Sequence, residues 1–246
     1  MTKITIRPDE AIPTQQQNVQ RLWLVRHGLT LWNMQQRFCG HTNVPLSVHG
    51  RAQAHWLASQ LRCHPLTTIY TSDLDRAQAT AKIIATKRPQ PAQIIASPAW
   101  REIDFGAWEG LTYTEIATTY ADQLGFFTDP EHHAPPGGES LPAVLQRVQP
   151  AFAQIMHDNS SFYAGDIVIV SHGGTLRALL SSLLGMPLSR QWQLRIDPGS
   201  LSAIDLSLDE LGSPLATLVL LNFQHSNGRI RTGIAKPQET GALRDA

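Results

Sequence analysis

Short apolar runs alternate along the chain with longer segments in which apolar residues recur at helical spacing. The clearest runs lie in two predicted strands, residues 22–25 and 166–171, where consecutive apolar positions are typical of burial on both faces. Four further strands are predicted at residues 67–71, 93–96, 200–206 and 215–223, the last two expected to pair antiparallel. This alternation predicts an α/β fold with a mainly parallel sheet.

Two helices are predicted in the first half of the chain. One runs from Ser47, a natural N-cap, to about residue 62. The other begins after Ser72, where Asp75 stands at the third position of a capping box. The apolar stripes that should face the core are Ala54, Leu57, Ala58 and Leu61 in the first helix, and Leu74, Ala77, Ala81 and Ile84 in the second.

Two more helices are predicted in the second half. Residues 141–157 repeat apolar side chains at helical spacing, and Pro150 is expected to kink this helix because proline lacks a backbone donor. The other helix covers residues 175–184 and is ended by Gly185 and Pro187.

The chain is predicted to form one folded domain between two polar ends. Residues 1–20 are predicted as a polar arm, residues 21–224 as a single domain and residues 225–246 as a polar tail. Within the domain, residues 110–140 are predicted as a long loop over the functional site, because they contain Pro130, Pro135, Pro136, Gly137 and Gly138.

Composition narrows the possible functions. The 246 residues carry 20 basic and 20 acidic side chains, so no general attraction to nucleic acid or an anionic membrane is expected. Cys39 and Cys63 are too few for a disulfide framework, and no run approaches the apolar core of a signal peptide or the ~20 residues of a membrane span. We expect a cytoplasmic protein. With no net charge on the chain, anion binding would have to come from basic residues grouped at one site.

Two predicted strands end in the same kind of sequence. Arg26, His27 and Gly28 follow the first, and His172 with two glycines follows the strand at residues 166–171. Open α/β sheets bind ligands beyond the carboxyl ends of their strands. Two histidines and an arginine at that edge predict a pocket for an anion, most plausibly a phosphoryl group, which a neutral imidazole can attack directly.

Other candidates lie between these two strands. Arg76 is predicted in the first turn of a helix, where exposed amides already favour anions and an arginine is electrostatically misplaced unless it serves a site. Cleavage of a phosphate ester also needs a proton on the departing oxygen. Glu102, Asp104 and Glu109 all qualify, and the residues alone do not choose between them. Arg177 is interpreted as a structural ion-pair partner.

These motifs, in this order over residues 21–206, resemble the histidine phosphatase superfamily, which includes phosphoglycerate mutases and fructose-2,6-bisphosphatases. The resemblance implies a three-layer α/β/α sandwich around a mixed sheet, with no metal and no cofactor. It implies that His27 is the nucleophile and Glu102 the proton donor. The implied phosphate pocket consists of Arg26, Arg76 and His172, with Asn33 nearby.

Further resemblances bear on the substrate. Gly173–Arg177 and Ile103–Gly106 differ from the mutase pattern, which favours a phosphatase. Residues 40–47, 102–113 and 136–140 are similar to the α-ribazole phosphatases of the cobalamin pathway. This implies a small phosphorylated metabolite as partner, with Gly40, Thr42, Trp108 and Tyr113 as candidate substrate residues. An apolar wall for a ring would be formed by Trp108, Tyr113, Phe126, Phe127 and His132.

Alternatives remain open at this stage. The chain could be a phosphoglycerate mutase or a broad-specificity sugar-phosphate or phosphoserine phosphatase, and either a monomer or a homodimer. A non-catalytic binding module is the remote alternative, since it would require lost catalytic residues and none is missing. Leu29 and Trp100 depart from the usual residues of the family, and we expect them to adjust packing only.

Overall fold

The computed structural model describes residues 19–158, 165–208 and 214–225. Its centre is a six-stranded sheet in the order β3-β2-β4-β1-β5-β6. The strands are β1 (Gln20–Arg26), β2 (Leu66–Ser72), β3 (Gln93–Ser97), β4 (Asp166–Ser171), β5 (Leu201–Leu208) and β6 (Pro214–Phe223).

The sheet is mixed, as predicted. Strands β1 to β4 form three parallel ladders, whereas β5 pairs antiparallel with β1 and β6 pairs antiparallel with β5. Strands β1 and β4 are neighbours in exact register from Leu22 opposite Ile167 to Arg26 opposite Ser171. The two predicted histidine-bearing strands therefore end side by side.

Both faces of the sheet are covered. Along β1, Leu22 and Leu24 belong to one apolar core, and Trp23 and Val25 belong to the other, because successive side chains of a strand point to opposite faces. This confirms the three-layer sandwich. The helices are α1 (Leu31–Met34), α2 (Val48–Leu61), α3 (Asp75–Thr86), α4 (Tyr113–Thr119), α5 (Gly125–Thr128), α6 (Leu141–Asp158) and α7 (Gly173–Leu183).

Most of the predicted caps and stripes are confirmed. The Ser47 hydroxyl accepts from the Gly50 amide and begins α2, and the predicted stripes of α2 and α3 are buried. Leu29 and Trp100 are buried core residues, as expected of substitutions that adjust packing. Helix α6 continues through Pro150, and the predicted kink stays a prediction.

The predicted capping box of α3 is wrong. Ser72 is the last residue of β2, and its hydroxyl accepts from the Leu74 amide two residues later. Leu74 is the N-cap and has no side-chain cap, while the Asp75 amide donates to Asn43 Oδ1 instead. The helix therefore begins later than a serine-based cap implies, and a side chain from another segment caps it.

The predicted long loop is also wrong. Residues 110–140 contain α4 and α5, and Thr112 and Glu115 form a reciprocal capping box at the start of α4. Ile116 and Phe126 from this segment are completely buried. The segment is held in the core by buried side chains such as Phe126. This packing decides its structure, although its prolines and glycines favour a loop.

The chain ends lie mainly outside the described residues, so the predicted arm and tail are not described. One boundary needs correction: Gln20, assigned to the arm, is buried as the first residue of β1. Within the described part of the chain, no helix combines the length and the apolar character required to cross a membrane.

Candidate active site

The two histidines meet at the carboxyl ends of β1 and β4. The His27 amide donates to the Ser171 carbonyl at 3.0 Å, which continues the β1–β4 ladder to the edge of the sheet. The His27 and His172 rings lie with their centroids 4.9 Å apart, and both residues are buried. Gly28 then lets the chain pass against α2, since a Cβ there would overlap the Gly50 backbone.

Arg76 reaches the histidines from the second position of α3. The residue is completely buried, and its Nε donates to His172 Nδ1 at 3.3 Å. Its terminal nitrogens donate to the carbonyls of Thr42 at 2.8 Å and Gly40 at 2.6 Å. The hydrogen-bond acceptors of this buried cation are therefore uncharged, which leaves its charge available to a bound anion.

Arg26 is the last residue of β1 and lines a cavity. One terminal nitrogen donates to the Ile196 carbonyl at 2.6 Å. Within the described residues, the buried Arg26 Nε and His172 Nε2 have no hydrogen-bond partner. Unpaired buried donors are rare in folded proteins and call for an explanation. An anion between them would supply both missing acceptors.

The electrostatics keep both imidazoles neutral. Burial lowers the pKa of His27 well below its usual value, and the positive charges of Arg76 and Arg26 lower it further. Burial and then Arg76 have the same effect on the pKa of His172. Neutral rings carry one proton each, so the position of that proton determines their chemistry.

Hydrogen bonding assigns different tautomers to the two rings. His27 Nδ1 lies 2.7 Å from the Gly28 carbonyl, and because a carbonyl only accepts, Nδ1 carries the proton. His27 Nε2 therefore keeps its lone pair. His172 Nδ1 accepts from Arg76, so its proton lies on Nε2. One ring offers a nucleophile or base, and the other offers a donor.

Glu102 is a carboxylate that lines the cavity together with Arg26. It is buried, and its Oε1 accepts from the amides of Gly174 and Thr175 at 3.0 and 3.1 Å, at the N-terminus of α7. Its Oε2 has a single longer contact, 3.2 Å from the Gly174 amide. Oε2 is therefore the less engaged of the two oxygens.

The two alternative carboxylates are occupied elsewhere. Glu109 accepts from the amides of His41 and Thr42 and from the Thr42 hydroxyl. Asp104 accepts from the Gly106 amide at 2.8 Å. Glu102 lines the cavity at the site, and these two residues do not. This geometry favours Glu102 among the three carboxylates.

A cavity of about 300 Å³ opens beside Arg26 and Glu102, whereas His27, Arg76 and His172 are not among its lining residues. Three predicted site residues besides Glu102 line it: Arg26, Asn33 and Tyr113. The Asn33 side chain also accepts from the Thr30 amide and caps α1. Among the described residues, no group of three or more His, Cys, Asp or Glu side chains is arranged to hold a metal ion.

Several predicted substrate residues lie away from this cavity. Trp108 is completely buried and stacks on Phe127 at 5.0 Å, so it is a core residue, and Phe126 is equally buried. His132 is exposed and pairs with Asp129. Gly40 and Thr42 contact Arg76 through their carbonyls and do not line the cavity. Some of these residues pack in the core and others form part of a loop. Residue type alone did not distinguish these roles from substrate binding.

Other cavity residues were missed by the sequence analysis. Arg177, predicted as an ion-pair partner, donates through Nε to the Leu194 carbonyl and lies 5.4 Å from the Trp192 ring centroid. Burial and the nearby charge of Arg26 lower its pKa to about 10. Its position four residues after Gly173, on the same face of α7, could have indicated it. Further cavity residues that no sequence pattern indicated are Gln36, Arg37, Phe38, Cys39 and Trp192.

The chain is similar to known proteins over most of its length. The sequence profile of the Histidine phosphatase superfamily (branch 1) matches residues 22–214. The adenosylcobalamin/alpha-ribazole phosphatase of Escherichia coli K12 is 36% identical over 204 residues, which cover 82% of this chain and 95% of that protein.

Two further relatives extend the comparison. The crystal structure of a putative alpha-ribazole-5′-P phosphatase from Escherichia coli superposes with a TM-score of 0.70 at 35% identity, covering 83% of this chain and 96% of the other. A 2,3-bisphosphoglycerate-dependent phosphoglycerate mutase 2 of Gloeobacter violaceus is 36% identical over 166 residues, 66% of this chain and 74% of that protein.

Proposed function

Since this chain belongs to the histidine phosphatase superfamily and is a phosphatase, we propose that it cleaves phosphomonoesters in two steps through a phosphohistidine on His27. The observation that carries this proposal is the tautomer of His27. Its Nδ1 proton is held by the Gly28 carbonyl, so the Nε2 lone pair is available for attack without prior loss of a proton.

In the first step, His27 Nε2 attacks phosphorus and the bond to the ester oxygen breaks. Glu102 gives its proton to the departing oxygen, and the alcohol leaves. Arg26, Arg76 and the His172 Nε2–H hold the phosphoryl oxygens, and they act most strongly on the charge that develops in the transition state.

In the second step, water attacks the phosphohistidine. Glu102, now deprotonated, accepts a proton from that water, the N–P bond breaks and inorganic phosphate leaves. The His27 lone pair and the Glu102 proton are thereby restored. Both steps use the same pocket, because the phosphoryl group stays between the arginines while the leaving alcohol and the incoming water exchange at the Glu102 side.

The substrate we propose is α-ribazole 5′-phosphate or a related small phosphorylated metabolite of cobalamin biosynthesis. The relatives with alpha-ribazole phosphatase names support it. The cavity supports it too, since its volume is at the lower end of small-molecule pockets. Phe38, Phe105, Tyr113 and Trp192 supply aromatic walls for a base, and Arg177 supplies donors for sugar hydroxyls.

A mutase or a broad-specificity phosphatase is the second candidate. Arg37 and Arg177 both line the cavity and could hold a second anionic group of a substrate such as phosphoglycerate. Arg37 is already paired with Glu115 and with the Gly110 carbonyl, which makes it less available. For this reason we favour a substrate with one phosphate and a neutral leaving group.

The test is phosphate release by the wild type and the matched variant His27→Ala over a panel of substrates. The panel contains α-ribazole 5′-phosphate, 3-phosphoglycerate, fructose 2,6-bisphosphate, phosphoserine and p-nitrophenyl phosphate. We expect the highest kcat/KM on the first. Even activity across the panel would reject the substrate, and formation of 2-phosphoglycerate from 3-phosphoglycerate would favour a mutase.

The mechanism has its own measurement. Rapid acid-free quenching with labelled substrate should yield a phosphoprotein that is stable to base and labile to acid, with the label on His27. The same experiment on His27→Ala provides the blank. Turnover without any labelled protein at a quench time shorter than one turnover would contradict the two-step scheme.

A further inference from the structure

Arg76 is held in place by a short loop, residues 39–42, which we call the carbonyl loop. Its guanidinium donates to the Gly40 carbonyl at 2.6 Å, the Thr42 carbonyl at 2.8 Å and the Cys39 carbonyl at 3.4 Å. Together with the bond from Nε to His172, these contacts use four of its five N–H donors and set the direction in which the remaining one points. The orientation of the carbonyl loop therefore decides where a phosphoryl group can be bound.

Glu109 binds the opposite side of the same loop. Its Oε1 accepts from the His41 amide at 2.5 Å, and its Oε2 accepts from the Thr42 amide at 2.8 Å and from the Thr42 hydroxyl. The approach is close because Gly40 has no side chain, and a Cβ there would overlap Glu109 Oε1. Both carboxylate oxygens thus accept from the loop, and Glu109 does not line the cavity.

One peptide group connects the two charges. The carbonyl of Gly40 and the amide of His41 belong to the same trans peptide, so they point in opposite directions. The carbonyl accepts from Arg76, and the amide donates to Glu109. The dipole of this peptide is therefore aligned between a cation and an anion, and both ends are charge-assisted hydrogen bonds.

We propose that Glu109 is a positioning residue, which orients the Gly40–His41 peptide and thereby aims the Arg76 guanidinium at the phosphoryl group. This inference rests on the proposed phosphoryl pocket. It explains why a carboxylate that qualifies chemically as a proton donor does not line the cavity. It also explains how a buried arginine is stabilised without a carboxylate that would compete with the substrate.

The test uses Glu109→Gln, which keeps the shape and removes the charge. An amide can accept at one oxygen only, and its NH₂ group would face the Thr42 donors. We expect the Kd of inorganic phosphate and the KM of p-nitrophenyl phosphate to rise at least about tenfold, the loss expected for charge-assisted hydrogen bonds. Thr42→Val, which removes only the hydroxyl contact, should give a smaller rise.

The pH profile distinguishes positioning from a merely structural role. His172 lies against His27, and after burial the charge of Arg76 lowers the pKa of His27 most, followed by that of Arg26. If Glu109→Gln turns Arg76 away, the pKa of His27 rises, and the acidic limb of kcat/KM moves to higher pH. A general loss of folding would reduce activity at every pH without moving this limb.

The matched control is Asp205→Asn. Asp205 is a carboxylate with two hydrogen bonds from Arg21, at the far end of β1 from the histidines. We expect it to lower the unfolding midpoint while leaving phosphate affinity unchanged. The inference is overturned if Glu109→Gln matches this control in phosphate Kd and pH profile. Failure of the proposed function would look different, since wild type itself would then release no phosphate.

Discussion

The neutral histidines should make folding stability depend on pH in a way that can be calculated. His27 is 3% and His172 is 0% exposed, and burial followed by Arg76 lowers the pKa of each well below 6.5 in the folded protein. The unfolded chain takes up a proton at each ring as the pH falls through about 6.5, whereas the folded protein does not. Acid therefore favours unfolding, and the stability is lost as pH falls.

The magnitude follows from linkage. Lowering the pH from about 7.5 to about 5.5 should reduce the free energy of unfolding by about 1.4 kcal/mol for each histidine, or about 2.7 kcal/mol for the pair. The variants His27→Gln and His172→Gln each lack one of the two rings. In each variant, the loss of unfolding free energy between these pH values should therefore fall to about half of the value for the pair. Urea unfolding followed by tryptophan fluorescence at several pH values measures this difference.

A matched control separates these rings from other histidines. The side chain of His157 is 83% exposed, so His157→Gln should retain the full pH-dependent loss of the wild type. If both His27→Gln and His172→Gln also lost as much stability as the wild type over this interval, the folded rings would not be held neutral. The tautomer argument for His27 as a nucleophile would then fail.

Three further predictions concern activity. His27→Ala should abolish phosphate release while leaving circular dichroism and the unfolding transition close to those of the wild type. Glu102→Gln should slow esters with poor leaving groups by about 10²–10⁴-fold and p-nitrophenyl phosphate much less, because nitrophenolate needs little protonation; equal slowing would move the acid elsewhere. Arg177→Gln should raise KM for a sugar phosphate more than for p-nitrophenyl phosphate, and an equal rise on both would make Arg177 purely structural.

The parts of the fold that could be predicted rest on strong local patterns. The apolar centres of β1 and β4 required burial on both faces, which in turn required a parallel sheet covered by helices. Once the strands are parallel, the residues that follow them must share an edge. His27 and His172 could therefore be placed together from sequence, and the structure brings them to adjacent strand ends.

The parts that could not be predicted depend on contacts between distant segments. The cap of α3 comes from Asn43, so no local signal at Ser72 could indicate it. Trp108 has the residue type of a ring-binding wall, but three-dimensional packing places it in the core. Propensity describes a residue in its own segment, and these outcomes were decided by other segments.

The candidate site, like the fold, could be predicted only in part. The types of the reacting groups could be inferred, whereas the protonated nitrogen of each histidine could not, because it depends on the Gly28 carbonyl and on Arg76. Residue type alone did not choose among the three carboxylates, and the resemblance to the family implied Glu102. In the structure their contacts differ, since Glu102 accepts from an amide at the start of α7 and Glu109 accepts from the His41 amide.

The order of strands in the sheet has a consequence for how the enzyme gains activity during synthesis. Strand β1 is translated first, yet its two neighbours are β4 and β5, which are among the last strands to emerge. The pocket therefore cannot assemble until β4 and β5 have been synthesised, and such non-local pairing is slow. Phosphatase activity should therefore recover during refolding only after β4 and β5 have paired with β1. Activity can then be used as a measure of the late, non-local step of folding.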